Sequence, residues 1–142
     1  MTDVKKYLSQ IRRYDSRINA KLEERDRLKA MMTKITPTLR DVPSSGSGGQ
    51  DKISDAVAKL IDLEAEINRE IDSLVDARRT VSQTIDKVED DKEFNILHQR
   101  YVQGKTLEQI AFDMGYTYRW ICSMHGRALQ TVEKILKSEK SS

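Results

Sequence analysis

Apolar side chains recur along this chain mostly three and four residues apart, the period of an α-helix with one buried face. Val4, Leu8, Ile11, Ile18 and Leu22, broadened by Tyr14 and Leu28, place one helix over residues 3–32, with Asp15, Arg25 and Lys29 interrupting a strict seam. Pro37 is expected to break that pattern. Residues 33–50 end in PSSGSGGQ and read as a flexible loop, because they offer little to bury. Residues 51–88 read as a second, longer helix. Ile53, Val57, Leu60, Ile67, Ile71, Leu74, Val81, Ile85 and Val88 keep a four-three rhythm, with Glu64 and Arg78 on two stripe positions and Leu63 and Ala77 beside them. A heptad pattern sustained this far predicts a coiled coil. At a rise of ~1.5 Å per residue the two helices are about 45 and 57 Å long. The intervening loop lets the chain double back, so an antiparallel helical hairpin is expected. A narrow two-helix contact buries little, so a second chain is expected to complete it.

The remaining pattern is shorter in period and better punctuated. Residues 89–93, EDDKE, open a new helix, running over 91–103 with Phe94, Leu97 and Tyr101 on one face. Phe94 and Tyr101 are expected in the core. Gly104 suits its exit, since glycine tolerates the left-handed conformation there. Thr106 caps the next helix, and Gln109 three residues on completes a capping box. Leu107, Ile110, Ala111 and Met114 form its apolar face before Gly115 ends it. Thr117 then caps a last helix over 118–137, whose inner face is Ile121, Met124, Ala128, Leu129, Val132, Ile135 and Leu136. The fold class is therefore all-α: a helical hairpin or coiled coil over 1–88, then a three-helix domain over 89–142.

Composition fits that reading. Of 142 residues, 37% are apolar and 34% charged, with two prolines and six glycines, as in long, partly exposed helices. No run approaches the ~18 apolar residues of a membrane span. The stretch MTDVKKYLSQIRR lacks the apolar core of a secretory signal. The single cysteine, Cys122, cannot form an internal disulfide or a CxxC metal site. A cytoplasmic protein is expected, with no membrane partner. Net charge is +2 but uneven: residues 1–50 carry 11 basic and 6 acidic side chains, 51–93 carry 7 and 13, and 94–142 carry 7 and 4. The acidic stretch suits packing against the basic first helix, where Arg12, Arg13 and Arg17 cluster. The basic C-terminal segment suits a partner bearing phosphates.

Chemistry concentrates in YVQGKTLEQIAFDMGYTYRWICSMHGRAL, residues 101–129. A short helix ends at Gly115, a tight turn follows, and a longer helix begins after Thr117. This is the spacing of a helix-turn-helix, whose second helix enters the major groove. Small Ala111 suits the closest approach of the two helices, and Ile121 anchors the second from behind. Tyr101, Gly104, Thr106, Gln109-Ile110-Ala111, Met114-Gly115, Thr117 and Ala128-Leu129 together resemble region 4 of bacterial sigma factors, over roughly residues 94–136. With its coiled-coil front half the chain is similar to small phage or prophage proteins related to the ArpU and RinA late transcription regulators. The resemblance implies a sigma region 4-like DNA-binding regulator. It does not imply a full sigma factor, because no region 2 precedes the motif.

The residues expected to meet DNA are Lys105, Thr117, Tyr118, Arg119, Trp120, Ser123 and Arg127. Arginine pairs bidentately with guanine, so Arg119 is the natural base reader. Tyr118 and Ser123 suit a base or a phosphate, Trp120 a sugar or a thymine methyl, and Arg127 and Lys105 a phosphate. Amides behind Thr117 suit another phosphate. Sigma-like recognition helices carry more Arg, Glu and Gln at these positions, so two half-sites read by a homo-oligomer are expected to compensate. His125 reads as a helix-surface residue or a phosphate contact, and His98 as a junction residue. The expected partners are double-stranded DNA and RNA polymerase. No catalytic residue, metal or cofactor is expected, since no Cys–His pair, phosphate loop or histidine cluster is visible; Glu64 and Glu66 read as charged flanks of the coiled coil. Two further readings stand beside the regulator. One is a phage DNA-packaging protein like a small terminase subunit, which also joins a helix-turn-helix to a coiled coil. The other is a coiled-coil adaptor whose C-terminal helices meet a protein partner through Trp120.

Overall fold

A computed structural model describes the backbone of residues 2–41 and 47–141, and side chains within 3–34 and 51–141. Among the described residues the fold is all-α, with six helices and no strand: α1 (Thr2–Leu8), α2 (Gln10–Asp41), α3 (Ser47–Asp86), α4 (Asp91–Leu97), α5 (Leu107–Met114) and α6 (Tyr118–Ser141). No helix among them is long and apolar enough to cross a membrane.

The single helix expected over 3–32 is interrupted at Ser9. The Gln10 side-chain amide donates to the Tyr7 carbonyl at 2.8 Å there, competing with the helical ladder. The ladder resumes on both sides, with Ser9 N–H on Lys5 O at 2.9 Å and Arg13 N–H on Ser9 O at 3.0 Å. The flexible loop expected over 33–50 is corrected at both ends: α2 runs through Pro37 to Asp41 and α3 starts at Ser47. A proline removes one donor while the flanking turns keep theirs, so an already propagating helix can continue through it. The centre of that loop, 42–46, lies outside the described residues.

The chain forms two compact units, Met1–Tyr14 with Leu74–Ser142, and Asp15–Ser73. In the second unit α2 and α3 run in opposite directions. Lys21 of α2 pairs with Glu66 and Glu70 of α3 at 3.6 and 3.4 Å, and Ile18, Ala56, Leu63 and Ile67 are buried. The buried seam of α3 matches the predicted one in part: Ile67, Val81, Ile85 and Val88 are buried as expected, and the rest differs. Ala56, Leu63 and Ala77 are buried, whereas Val57 and Ile71 are 37% and 40% exposed. With Leu63 and Ala77 in the seam, Glu64 and Arg78, which the predicted stripe contained, stay on the exposed side.

In the first unit the buried apolar residues form two clusters that interleave along the sequence. One joins Val4, Leu8 and Ile11 with Ala77, Val81, Ile85 and Val88 of α3 and with Leu97, Tyr101, Ala128, Leu129 and Val132. Tyr7 and Thr84 share a 2.7 Å hydrogen bond at its edge. The other joins Ile96, Ile110, Ala111, Ile121 and Met124. Asp90 caps α4 by accepting from Glu93 N–H at 2.9 Å, and the buried Glu93 carboxylate accepts from the Thr131 hydroxyl at 2.6 Å. Lys87 and Glu139 form an ion pair. After α4 the chain widens into a π-helical turn, His98–Val102, closed by Gln103 N–H on His98 O at 3.0 Å. That turn directs Tyr101 inward. Phe94 is half-buried against the first cluster and stacks on His98, centroids 5.9 Å apart.

Candidate nucleic-acid interface

The segment that carries the sequence motif is built by its caps. Gly104 and Gly115 take φ of 76° and 75°, the left-handed conformation that glycine enters without steric cost. Thr106 Oγ1 accepts from Gln109 N–H at 3.1 Å while Gln109 Oε1 accepts from Thr106 N–H at 2.9 Å, completing the expected capping box. Gly115 follows α5, and its N–H reaches back to the Phe112 carbonyl at 3.3 Å. Thr117 Oγ1 accepts from Trp120 N–H at 3.1 Å and starts α6. Ala111 and Ile121 are buried in the same cluster, which holds α5 against α6.

Beyond that turn α6 presents Arg119, Ser123 and Arg127, all exposed. Among the described residues no ion pair engages Arg119. Gly126 lies between Ser123 and Arg127, and a Cβ there would meet nothing within 4 Å beyond its chain neighbours and the helix's own backbone. Tyr118 is 50% exposed, and its phenol is pushed above its usual value, first by hydrogen bonding with Cys122 and then by the nearby charge of Cys122 and Glu108.

Two of the expected contacts are already engaged. Lys105 Nζ sits 2.9 Å from Asp113 Oδ2 and donates to Gln99 Oε1 at 3.2 Å, and its own carbonyl accepts from Arg100 at 3.0 Å. The ammonium charge is thus partly neutralised in place. Trp120 is half-buried and stacks on Tyr116, centroids 4.0 Å apart and planes 21° apart. The Lys92 ammonium lies 5.7 Å from each ring centroid, within reach of a cation–π attraction. Tyr116 and Lys92 went unmarked in the sequence because Lys92 belongs to α4, and nothing in the spacing announces that pairing. Phe112, also unmarked, is 88% exposed on α5.

His125 is not a surface residue. It is buried, and its Nε2 lies 2.7 Å from the Tyr101 hydroxyl. Burial first, then the charges of Lys5 and Arg100, lower its imidazole to about 4, while burial raises the Tyr101 phenol to about 12. At neutral pH both groups are therefore uncharged, and the imidazole tautomer sets which of them donates. Among the described residues no group of three or more His, Cys, Asp or Glu side chains gathers as a metal would require.

Comparison of the chain with protein-family models, curated proteins and solved structures gave no match.

Proposed function

We propose that this chain is a DNA-binding transcriptional regulator of phage or prophage type. In this reading α5, the turn at Gly115 and α6 act as a sigma region 4-like helix-turn-helix, with α6 in the major groove. The paired α2 and α3 act as a coiled-coil hairpin that joins subunits and meets RNA polymerase. Mechanism is then binding and recruitment. One observation carries the reading: Arg119, Ser123 and Arg127 stand exposed along the first turns of α6, directly after a Thr117-capped turn, with Arg119 outside any ion pair among the described residues. An arginine held in this way is available for the bidentate contact that guanine offers.

The experiment is selection of bound DNA from random sequence by the purified protein, followed by titration of the winning site with Arg119→Ala. The expected result is a tandem or palindromic motif whose affinity falls about tenfold or more in the variant, the cost of ~1–3 kcal/mol for a lost base contact. A folded protein that enriches no motif at low salt overturns the reading.

A protein-binding adaptor is favoured by one feature, the exposed Phe112 beside a helix pair that also leaves Tyr116 and Tyr118 exposed. In that case Phe112→Ala abolishes partner capture and Arg119→Ala does not.

A further inference from the structure

Beside its buried seam α3 carries a second, exposed apolar stripe. Val57, Ile61, Ile71 and Val75 are 37%, 63%, 40% and 51% exposed. Their spacing is again four and three, with Glu64 and Asn68 at the two central positions. Half of the large apolar side chains exposed among the described residues lie on this stripe. An exposed apolar row of this kind marks an interface.

The row also has an internal symmetry. Position 66 is the midpoint of 57 and 75, of 61 and 71, and of 64 and 68. Reversing the helix about that point returns valine on valine, isoleucine on isoleucine, and a carboxylate on a primary amide. A two-fold interface requires this self-complementarity, in which residue i meets j and j meets i. In an antiparallel coiled coil each layer joins an a position to a d position of the partner, as these pairs do.

We infer that α3 pairs antiparallel with α3 of a second copy of this chain through Val57, Ile61, Glu64, Asn68, Ile71 and Val75. Ile61 packs against Ile71 of the partner subunit, and Val57 against the partner's Val75. The Glu64 carboxylate accepts from the amide of the partner's Asn68, and the dyad repeats that bond on the other side. Two donor–acceptor layers at the centre fix the register, because a shift would bury the carboxylate against isoleucine. Apolar layers outside them supply the attraction. Within Asp15–Ser73, α2 already holds α3 in a helix, so association orders side chains and leaves the backbone as it is. Alanines at 58 and 65 on one flank leave room for close approach.

This inference rests on the subunit pairing in the proposed function and not on DNA binding. A monomer that still selects a DNA motif would overturn the interface and leave the DNA reading standing. The test uses the full chain with Cys122→Ser in every sample. Sedimentation should give twice the 16.4 kDa chain mass. Ile61→Asp with Ile71→Asp should raise the dimer dissociation constant about a hundredfold or more, at unchanged helical circular dichroism. The geometry is read by thiol cross-linking. Ile61→Cys mixed with Ile71→Cys should cross-link efficiently with a short bismaleimide. Ile61→Cys alone should not, since its two copies are offset by about 15 Å along the axis. A monomer at all concentrations, an unchanged dimer in the aspartate variant, or efficient cross-linking of Ile61→Cys alone overturns the proposal.

Discussion

The Tyr101 hydroxyl shares a 2.7 Å hydrogen bond with Nε2 of His125, tying the π-helical turn to α6. Both rings are buried and lie 5.7 Å apart, near parallel. Removing the hydroxyl leaves a buried imidazole nitrogen without its hydrogen-bond partner. Tyr101→Phe should therefore destabilise the fold by about 1–2 kcal/mol in urea denaturation, more than the loss of an exposed hydrogen bond. A variant as stable as the parent would mean that water takes the hydroxyl's place.

The same pair gives stability a pH dependence of known sign. Burial holds the His125 imidazole down at about 4 in the folded chain, below its ordinary 6.5 in the unfolded one. Above pH 6.5 both states are neutral and the full stability is present. As pH falls towards 4 the unfolded state takes up a proton that the folded state refuses, and stability is lost. Urea midpoints measured at intervals from pH 7.5 to 4.5 should fall steadily below pH 6.5. In His125→Gln the part of this slope due to the imidazole should vanish, whatever the variant's stability at pH 7.

Much of this architecture is legible in the sequence where side chains speak for their own backbone. Thr106, Gln109, Gly115 and Thr117 announce caps, because capping is a contact within three or four residues, and the boundaries they set are those observed. The seam of α3 is harder to read. At Ala56 and Val57 two neighbouring positions are both apolar, and only their partners across space choose between them. The packing of Val4, Leu8 and Ile11 with Ala128, Leu129 and Val132 leaves no local mark at all. Of the candidate contacts, Arg119, Ser123 and Arg127 stand exposed as a surface face requires. Lys105 and Trp120 find partners, Asp113, Tyr116 and Lys92, that spacing alone does not pick out.

The Lys105–Asp113 pair makes a prediction about binding. If α5 and α6 meet DNA, the carboxylate 2.9 Å from the ammonium competes with phosphate for that charge. Asp113→Asn removes the competitor and keeps the shape. Affinity for the selected DNA should then rise several-fold at moderate salt, and the slope of log K against log salt should steepen by about one. Unchanged affinity and slope would place Lys105 away from the phosphates.

Gly126 separates stability from binding. It sits inside α6, where glycine costs about 0.5–1 kcal/mol relative to alanine, and a Cβ there meets nothing within 4 Å beyond its chain neighbours and the helix's own backbone. Gly126→Ala should therefore raise the melting temperature by a few degrees, about 2–4 °C, in a chain of this size. The position lies between Ser123 and Arg127 on α6, so in the proposed DNA complex an added side chain would face the groove. Binding of the selected DNA should weaken in the stabilised variant, because the added methyl holds the helix away from the groove. A variant that is both more stable and fully competent in binding would remove this face of α6 from the interface.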